Sequence, residues 1–181
     1  MAQTPLPALD PSDPTPIFFH KEHQPPYGFL SQWFLPPLHD PSTDTTYNSA
    51  EQRMMHQKAL LFHDAASARL ILASESPSEQ KELGRKIKGW DGKEWDRVKF
   101  EVVVQGTRLK FQEGGLRTRL METGERELVE ASPRDRVWGI GFEAGWAEEQ
   151  RGAWGMNLLG RALMTVREEI RGEIDRRGEK G

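Results

Sequence analysis

The chain has 181 residues, enough for one domain with a genuine core, and it is 36% hydrophobic with six Trp and eight Phe. A formal charge of -3 argues against broad, sequence-independent nucleic-acid binding, which needs a basic face, although a small basic rim around one pocket would be invisible in that total. With no cysteine there are no disulfides, no thiol nucleophile and no Cys-based zinc site, and no apolar run approaches bilayer length.

Residues 1–16 hold Pro5, Pro7, Pro11, Pro14 and Pro16 with almost nothing to bury. They read as a disordered or extended arm, unlike a secretory leader, and the expected location is intracellular, in the cytoplasm. Ile17-Phe18-Phe19 and the aromatic run 29–34 read as short strands, separated by a turn over 24–28. The Pro/Asp/Ser/Thr stretch 36–46 reads as a loop. Helical signals begin at Ser49, whose spacing to Gln52 is a capping-box pattern, and the helix is expected to reach about Phe62. Asp64 is placed to cap a second helix through Ala73. Ser76, Pro77 and Glu79 start a third, and Asp91 with Glu94 a fourth that carries Trp95, Val98, Val102 and Leu109 towards Phe111. A short helix over 116–121 stops at Gly124, and Leu128-Val129 forms a brief strand. The last helix follows Asn157 with Leu158, Ala162, Leu163, Val166 and Ile170 at helical spacing. Beyond Arg171, glycine and charge suggest a flexible tail over 172–181. The predicted fold is one α+β domain over 17–171, mostly helical, with a small antiparallel sheet built from the aromatic N-terminal strands.

Several residue types in this order can carry chemistry. Asp135, Trp138, Gly139 and Gly141 fall within seven residues of a non-helical loop, which can hold a carboxylate beside a flat ligand while the backbone approaches closely. The same residues equally read as a turn former, a core plug and turn glycines. Glu51 sits in the first turn of its helix, where the macrodipole favours a charged carboxylate. Lys58 lies two turns on, so acid and amine share a face, as a solvated pair or a functional one. Trp90 and Trp95 flank the Asp91 cap, and a tryptophan on the rim of an acid-lined pocket suits stacking on a heteroaromatic base. Arg85 is a candidate phosphate ligand, and the backbone N–H groups of Gly155-Met156-Asn157 a candidate anion site. His20, His23, His39, His56 and His63 make no HExxH pattern and read as surface or boundary residues, so no metal or other cofactor is expected.

The order of these segments resembles the NADAR family, also called YbiA-like proteins. The match runs through Phe18-Phe19, the 29–34 run, Tyr47 to Glu51-Gln52, Lys58-Ala59, Leu83-Gly84-Arg85, Trp95 with Lys99, and Lys110-Phe111. It continues through 120–124, Leu128-Val129-Glu130, Asp135-x-x-Trp138-Gly139-x-Gly141, and Asn157-x-Leu159-Gly160 to Met164 and Arg167. Together these cover roughly residues 17 to 170, far more than any single motif. One departure is Gln32, where many relatives have Asn; another is the stretch 142–153, which has no clear counterpart and is a candidate for substrate selection.

The resemblance implies an N-glycosidase that breaks a ribose C1–N bond. Family members are associated with removing ADP-ribose from guanine bases and with cleaving ribosylamino-pyrimidine intermediates of the riboflavin pathway; a non-catalytic ADP-ribose binding module is the reading from another class. The expected substrate is therefore an ADP-ribosyl or phosphoribosyl compound, with ADP-ribosylated nucleic acid as a candidate partner, no membrane and no stated oligomeric order. The resemblance implies catalytic roles for Glu51, Lys58 and Asp135, with Schiff-base participation open to Lys58. It implies substrate contacts for Phe19, Ser31, Gln32, Arg85, Trp95, Trp138, Gly139, Gly141 and Asn157.

Overall fold

Capping side chains set where the helices begin. Ser49 Oγ accepts the Gln52 N–H at 3.1 Å and opens α1, Ala50–Leu61. Asp64 accepts the Ser67 N–H at 3.1 Å ahead of α2, Ala65–Ala73. Ser76 accepts from Glu79 with Pro77 in the first turn of α3, Pro77–Arg85. Asp91 accepts from Lys93 and Glu94 ahead of α4, Gly92–Lys110. A side-chain oxygen answering the open N–H groups of a first turn is a local device, so all four starts match the sequence. Around these helices stand the strands β1 (Ile17–Phe19), β2 (Leu38–Asp40), β3 (Thr45–Tyr47) and β4 (Leu128–Glu130). The further helices are α5 (Gly114–Glu122), α6 (Ala144–Ala147) and α7 (Leu158–Gly178), with 3-10 turns at Gly28–Leu30 and Glu148–Ala153.

The structure, a computed structural model, describes residues 13–112 and 114–178. Most of the proline-rich arm, residues 1–12, and the end of the tail, 179–181, lie outside them. The chain divides into two units, residues 32–110 and residues 1–31 with 111–181. Among the described residues no helix is long and apolar enough to cross a membrane.

In the 32–110 unit, β2 and β3 form an antiparallel hairpin in which Leu38 faces Tyr47. Leu38, Tyr47 and Ala50 make a buried cluster against which Leu109 packs. Helix α1 is the hub, packing on α2, α3 and α4. Its Arg53 is 4% exposed and bonds Asp40 Oδ2 at 2.9 Å, the Val102 carbonyl at 3.0 Å and Gln105 at 3.3 Å. Burial pushes the Asp40 carboxyl up, but hydrogen bonds from Ser42 and Arg53 outweigh it and hold it below its ordinary value. Removing one partner of such a buried pair typically costs about 3–5 kcal/mol, so this contact ties α1 to the hairpin and to α4.

In the other unit, β1 and β4 pair in parallel, with Phe19 opposite Glu130. Val129, Ile140 and Ala147 form its buried cluster, with Phe18, Phe142 and Trp154 packed against it. Helix α7 contributes Leu158, Leu159, Ala162, Leu163, Val166 and Ile170 to the buried interior, the face its spacing predicts.

The α+β class, mostly helical with a small antiparallel sheet, stands, but the strands differ from the reading. The antiparallel pair spans 38–47, all but Tyr47 inside the 36–46 stretch read as a loop, whose Pro, Asp and Thr content hides two three-residue strands. The N-terminal strand β1 pairs in parallel with β4 instead. The 29–34 run is no strand: Gly28, Phe29, Leu30, Ser31 and Gln32 are all buried, without the alternation a half-buried strand requires, and Gly28–Leu30 is a 3-10 turn. Helix α7 continues past Arg171 to Gly178, through seven residues of the predicted tail.

Candidate active site

Glu51 occupies the second position of α1 and is 3% exposed. Its position is fixed by neighbours. Its own N–H donates to the Gln32 carbonyl at 3.1 Å. Gln52 turns its oxygen back to the Asn48 N–H at 2.8 Å and donates its amide to the carbonyls of Ile71, Leu72 and Ser74 at 3.0–3.2 Å. Gln80, fully buried, donates to Asn48 and Ser74 and accepts from Ser49 Oγ at 3.2 Å. This buried amide network clamps the start of α1 to the end of α2 and to α3, and a fully satisfied network of this kind holds one geometry. The Gln32 side chain is 8% exposed, and its amide nitrogen has no hydrogen-bond partner among the described residues. A buried amide donor left open costs about 1–3 kcal/mol, so this nitrogen is a donor the described residues leave to be satisfied.

Lys58 projects from the same helix face. Its Nζ donates to the Gly84 carbonyl at 2.8 Å and lies 5.3 Å from the Trp90 ring centre and 5.8 Å from that of Trp95. Burial pushes this amine below its ordinary pKa while the Glu51 charge opposes the shift. Gly84 fits the Leu83-Gly84-Arg85 motif: a Cβ there would run into the Met55 side chain and force it to move, so glycine lets α3 approach α1 closely and present its carbonyl to Lys58. Trp95 is 9% exposed and Trp90 54% exposed, so the amine sits between a buried and an open ring. A second amine escaped the reading. Lys110, at the end of α4, lies 5.7 Å from the Phe34 ring centre, and burial pulls it down to about 7. Its only sequence signal is the Lys110-Phe111 pair in the family resemblance.

The Asp135 loop is built differently. Asp135 Oδ1 accepts the N–H groups of Val137 at 2.9 Å and Trp138 at 2.8 Å, an Asx turn that shapes the loop. Gly139 has no room for a side chain, since a Cβ would stand 2.7 Å from the Glu130 carbonyl oxygen, and Gly141 has φ +81°. Beyond the turn, the carbonyls of residues 136–140 all accept from residues 155–159, among them Trp138 from the Leu159 N–H at 3.0 Å and Ile140 from the Gly155 N–H at 2.8 Å. This overturns the anion site predicted at 155–157, because those N–H groups are already used. Asn157, at φ 48°, donates to the Leu128 carbonyl at 2.9 Å and accepts the Glu130 N–H at 3.0 Å. Its amide thus staples the start of α7 to β4, which is what the structure shows for a residue expected to touch substrate.

The predicted residues therefore fall into two groups. Glu51, Lys58 and Trp95 come together in the 32–110 unit, with Gln32 bonded to the Glu51 backbone; Arg85 is exposed at the end of α3. Asp135, the half-buried Trp138, Gly139, Gly141 and Asn157 form one loop and helix start in the other unit. Phe19 there is 4% exposed at the wall of a cleft, and Ser31 is buried, its N–H donating to the Gly28 carbonyl at 3.0 Å. His56 departs from the surface role: it is 7% exposed and 2.9 Å from the Tyr47 hydroxyl, with burial and then the Arg53 charge lowering its pKa. The stretch 142–153 holds α6 and a 3-10 turn, with Ala147 buried and Trp146 64% exposed.

An acid at a helix start, an amine whose pKa burial lowers and flanking tryptophans are suited to work on a sugar joined to a heteroaromatic base. Comparison with known proteins agrees. The NADAR domain family matches residues 18–171, and the chain belongs to that family. It is 41% identical to an N-glycosidase of Acanthamoeba polyphaga mimivirus over 84% of this chain and 95% of that protein. It is 32% identical to a riboflavin biosynthesis protein of Vibrio vulnificus over 86% of this chain but 38% of the other. The NMR structure of the E. coli protein YbiA superposes with a TM-score of 0.73 at 29% identity, covering 88% of this chain and 87% of that one. The chain is an enzyme of this class, a hydrolase of N-glycosyl bonds, and the reading as a non-catalytic binding module falls away.

Proposed function

We propose that this N-glycosidase removes ADP-ribose from ADP-ribosylated guanine, with Glu51, Lys58 and Asp135 as its catalytic groups. The observation that carries the reading is the cluster on α1: a buried carboxylate in the first turn and a half-buried amine on the same face between Trp90 and Trp95. The aromatic rings suit a flat bicyclic base, and the open amide of Gln32 supplies a donor next to the residue it anchors. As the C1–N bond breaks, its electron pair leaves with the base nitrogen, which takes up a proton, and positive charge develops on the sugar. A carboxylate held in a water-poor site stabilises that charge. Either carboxyl group can serve as proton donor, and water then adds its oxygen to C1 and gives up a proton. Alternatively Lys58 Nζ bonds to C1 as the base leaves, loses its protons as the ring oxygen opens to a hydroxyl, and the resulting imine is hydrolysed. A neutral amine is required, which is the direction in which burial moves Lys58.

The name of the Vibrio relative favours a second reading, hydrolysis of a riboflavin-pathway ribosylamino-pyrimidine. Incubating the purified chain with guanine-linked ADP-ribose and, separately, with that pyrimidine intermediate, then assaying released base and sugar, separates the two. Release from the guanine substrate alone is expected; release from the pyrimidine alone would reverse the order. If the imine route operates, borohydride added during turnover leaves a sugar adduct on Lys58. An adduct mapped to Lys110 would move the nucleophile, and no adduct with full activity in Lys58→Arg would confine Lys58 to electrostatics.

A further inference from the structure

The unit containing α7 carries a cleft of 740 Å³ whose place follows from strand direction. Because β1 and β4 are parallel, they end side by side at Phe19 and Glu130. The chain leaving them builds the walls, with His20 and Lys21 after β1 and Ser132 and Arg134 after β4, and Glu143 joins them from ahead of α6. In open α/β sheets ligands bind in the crevice outside the carboxyl ends of the strands, and the cleft lies at the same end of this two-stranded pair. The cleft also shares Ser132 with the Asp135 loop, since the Ser132 carbonyl accepts the Gly141 N–H at 3.0 Å.

The cations in this cleft differ from others in the same unit. Arg117, Arg126, Arg151 and Arg171 each pair with a carboxylate. Lys21 and Arg134 are exposed, and among the described residues neither side chain has a hydrogen bond or ion pair. Glu143 is likewise exposed without a partner, so these three side chains leave an excess of one positive charge. That excess suits one phosphate group and not a long polyanion, which would need a basic stripe. The volume is that of a nucleotide-sized pocket.

We propose that this cleft is a phosphate subsite in which Lys21 and Arg134 hold one phosphate group of a nucleotide. The guanidinium fork can take two phosphate oxygens, and the lysine contributes a mobile point charge. The choice of a nucleotide rests on the N-glycosidase reading; the subsite itself rests on the strand ends and the unpaired cations. The phosphate has two sources, the diphosphate of an ADP-ribosyl group or the phosphate of the nucleotide that carries the base.

Equilibrium binding of ADP-ribose, guanosine 5′-monophosphate and guanosine to the full chain tests this, comparing the wild type with a Lys21→Ala/Arg134→Ala double variant. Both residues are exposed, so the melting temperature is expected to stay unchanged. The double variant is expected to weaken at least one phosphate ligand about tenfold or more, as loss of a charge-assisted hydrogen bond implies, and to bind guanosine as the wild type does. Weakening of ADP-ribose assigns the phosphate to the sugar side, and weakening of the monophosphate alone assigns it to the base side. Unchanged affinity for both, no wild-type binding of either, or equal weakening of guanosine overturns the subsite. Turnover is not read, so failure of the glycosidase reading, seen as no base released from any substrate, stays distinct from failure of the subsite.

Discussion

The two units hold their acids by opposite means. Glu51 is placed by other groups: Ser49 caps its helix, Gln52 and Gln80 clamp it, and the Gln32 carbonyl takes its backbone N–H. Asp135 does its own placing, spending one carboxylate oxygen on two backbone N–H groups of its loop. The difference teaches that an acid's importance for activity and its importance for structure are separable in one unit and entangled in the other. Substitutions that keep shape but remove charge probe both sites, and those that remove the acceptor probe only the second.

The largest effect is expected at Glu51. Glu51→Gln keeps the size of the side chain and removes its charge, so turnover is expected to fall on the order of 10² or more. The amide network that holds α1 does not use the Glu51 carboxylate, so the melting temperature is expected to stay close to that of the wild type. Wild-type turnover on the substrate that is cleaved would remove Glu51 from the principal catalytic role.

The same variant sharpens the account of Lys58. Burial lowers the Lys58 pKa and the Glu51 charge raises it, so removing that charge is expected to lower the pKa further. NMR titration of reductively ¹³C-methylated lysines reads this directly. Lys58 is expected to lose its proton below the ordinary lysine range and to shift to still lower pH in Glu51→Gln. A Lys58 titration that does not move between the two proteins would show that the pair is not electrostatically coupled, and with it the same-face argument would fail.

At Asp135 the comparison is between two substitutions. Asp135→Asn keeps an oxygen that can accept the Val137 and Trp138 N–H groups, whereas Asp135→Ala does not. The alanine variant is expected to lose ~1 kcal/mol, or about 2–4 °C in melting temperature for a chain of this length, and the asparagine variant little. If both lose activity while only alanine loses stability, the charge acts in the reaction. Activity restored by asparagine would leave Asp135 as a loop former alone.

What the sequence made legible divides along the same line. Ser49, Asp64, Ser76 and Asp91 each sit within three residues of the N–H groups they answer, and each helix start was readable for that reason. The apolar stripe of α7 was readable because spacing alone reports it. Features that depend on distant partners were hidden. Nothing near Leu38 or Thr45 announces that two three-residue strands pair, and nothing near Met156 announces that carbonyls of 136–140 consume the N–H groups of 155–159. The site divides likewise: Glu51 and Lys58 share a helix face that counting finds, whereas the Gly84 carbonyl anchor and the burial of Lys110 come from packing. The Asx turn of Asp135 was one of two local readings, and geometry shows it to be present.

The smallest effect is expected at the N-terminus, where composition and contacts can be set against each other. Proline-rich residues 1–16 offer little apolar area, so their removal is expected to leave activity unchanged. Two contacts nevertheless tie residues 13–16 to Arg126 of the same unit: the Thr15 carbonyl accepts Arg126 Nε at 2.6 Å, and Asp13 pairs with Arg126 at 3.4 Å. The Asp13 carboxylate is held below its ordinary pKa by hydrogen bonds from Thr15, with Arg126 contributing least, so the ion pair adds little and salt screens it. Two truncations separate the contributions. Removing residues 1–12 is expected to leave the melting temperature unchanged, and removing 1–16 to lower it by no more than a few degrees. A drop of many degrees on removing 1–12 alone would show that the arm packs on the domain and that the boundary at residue 17 is drawn too late.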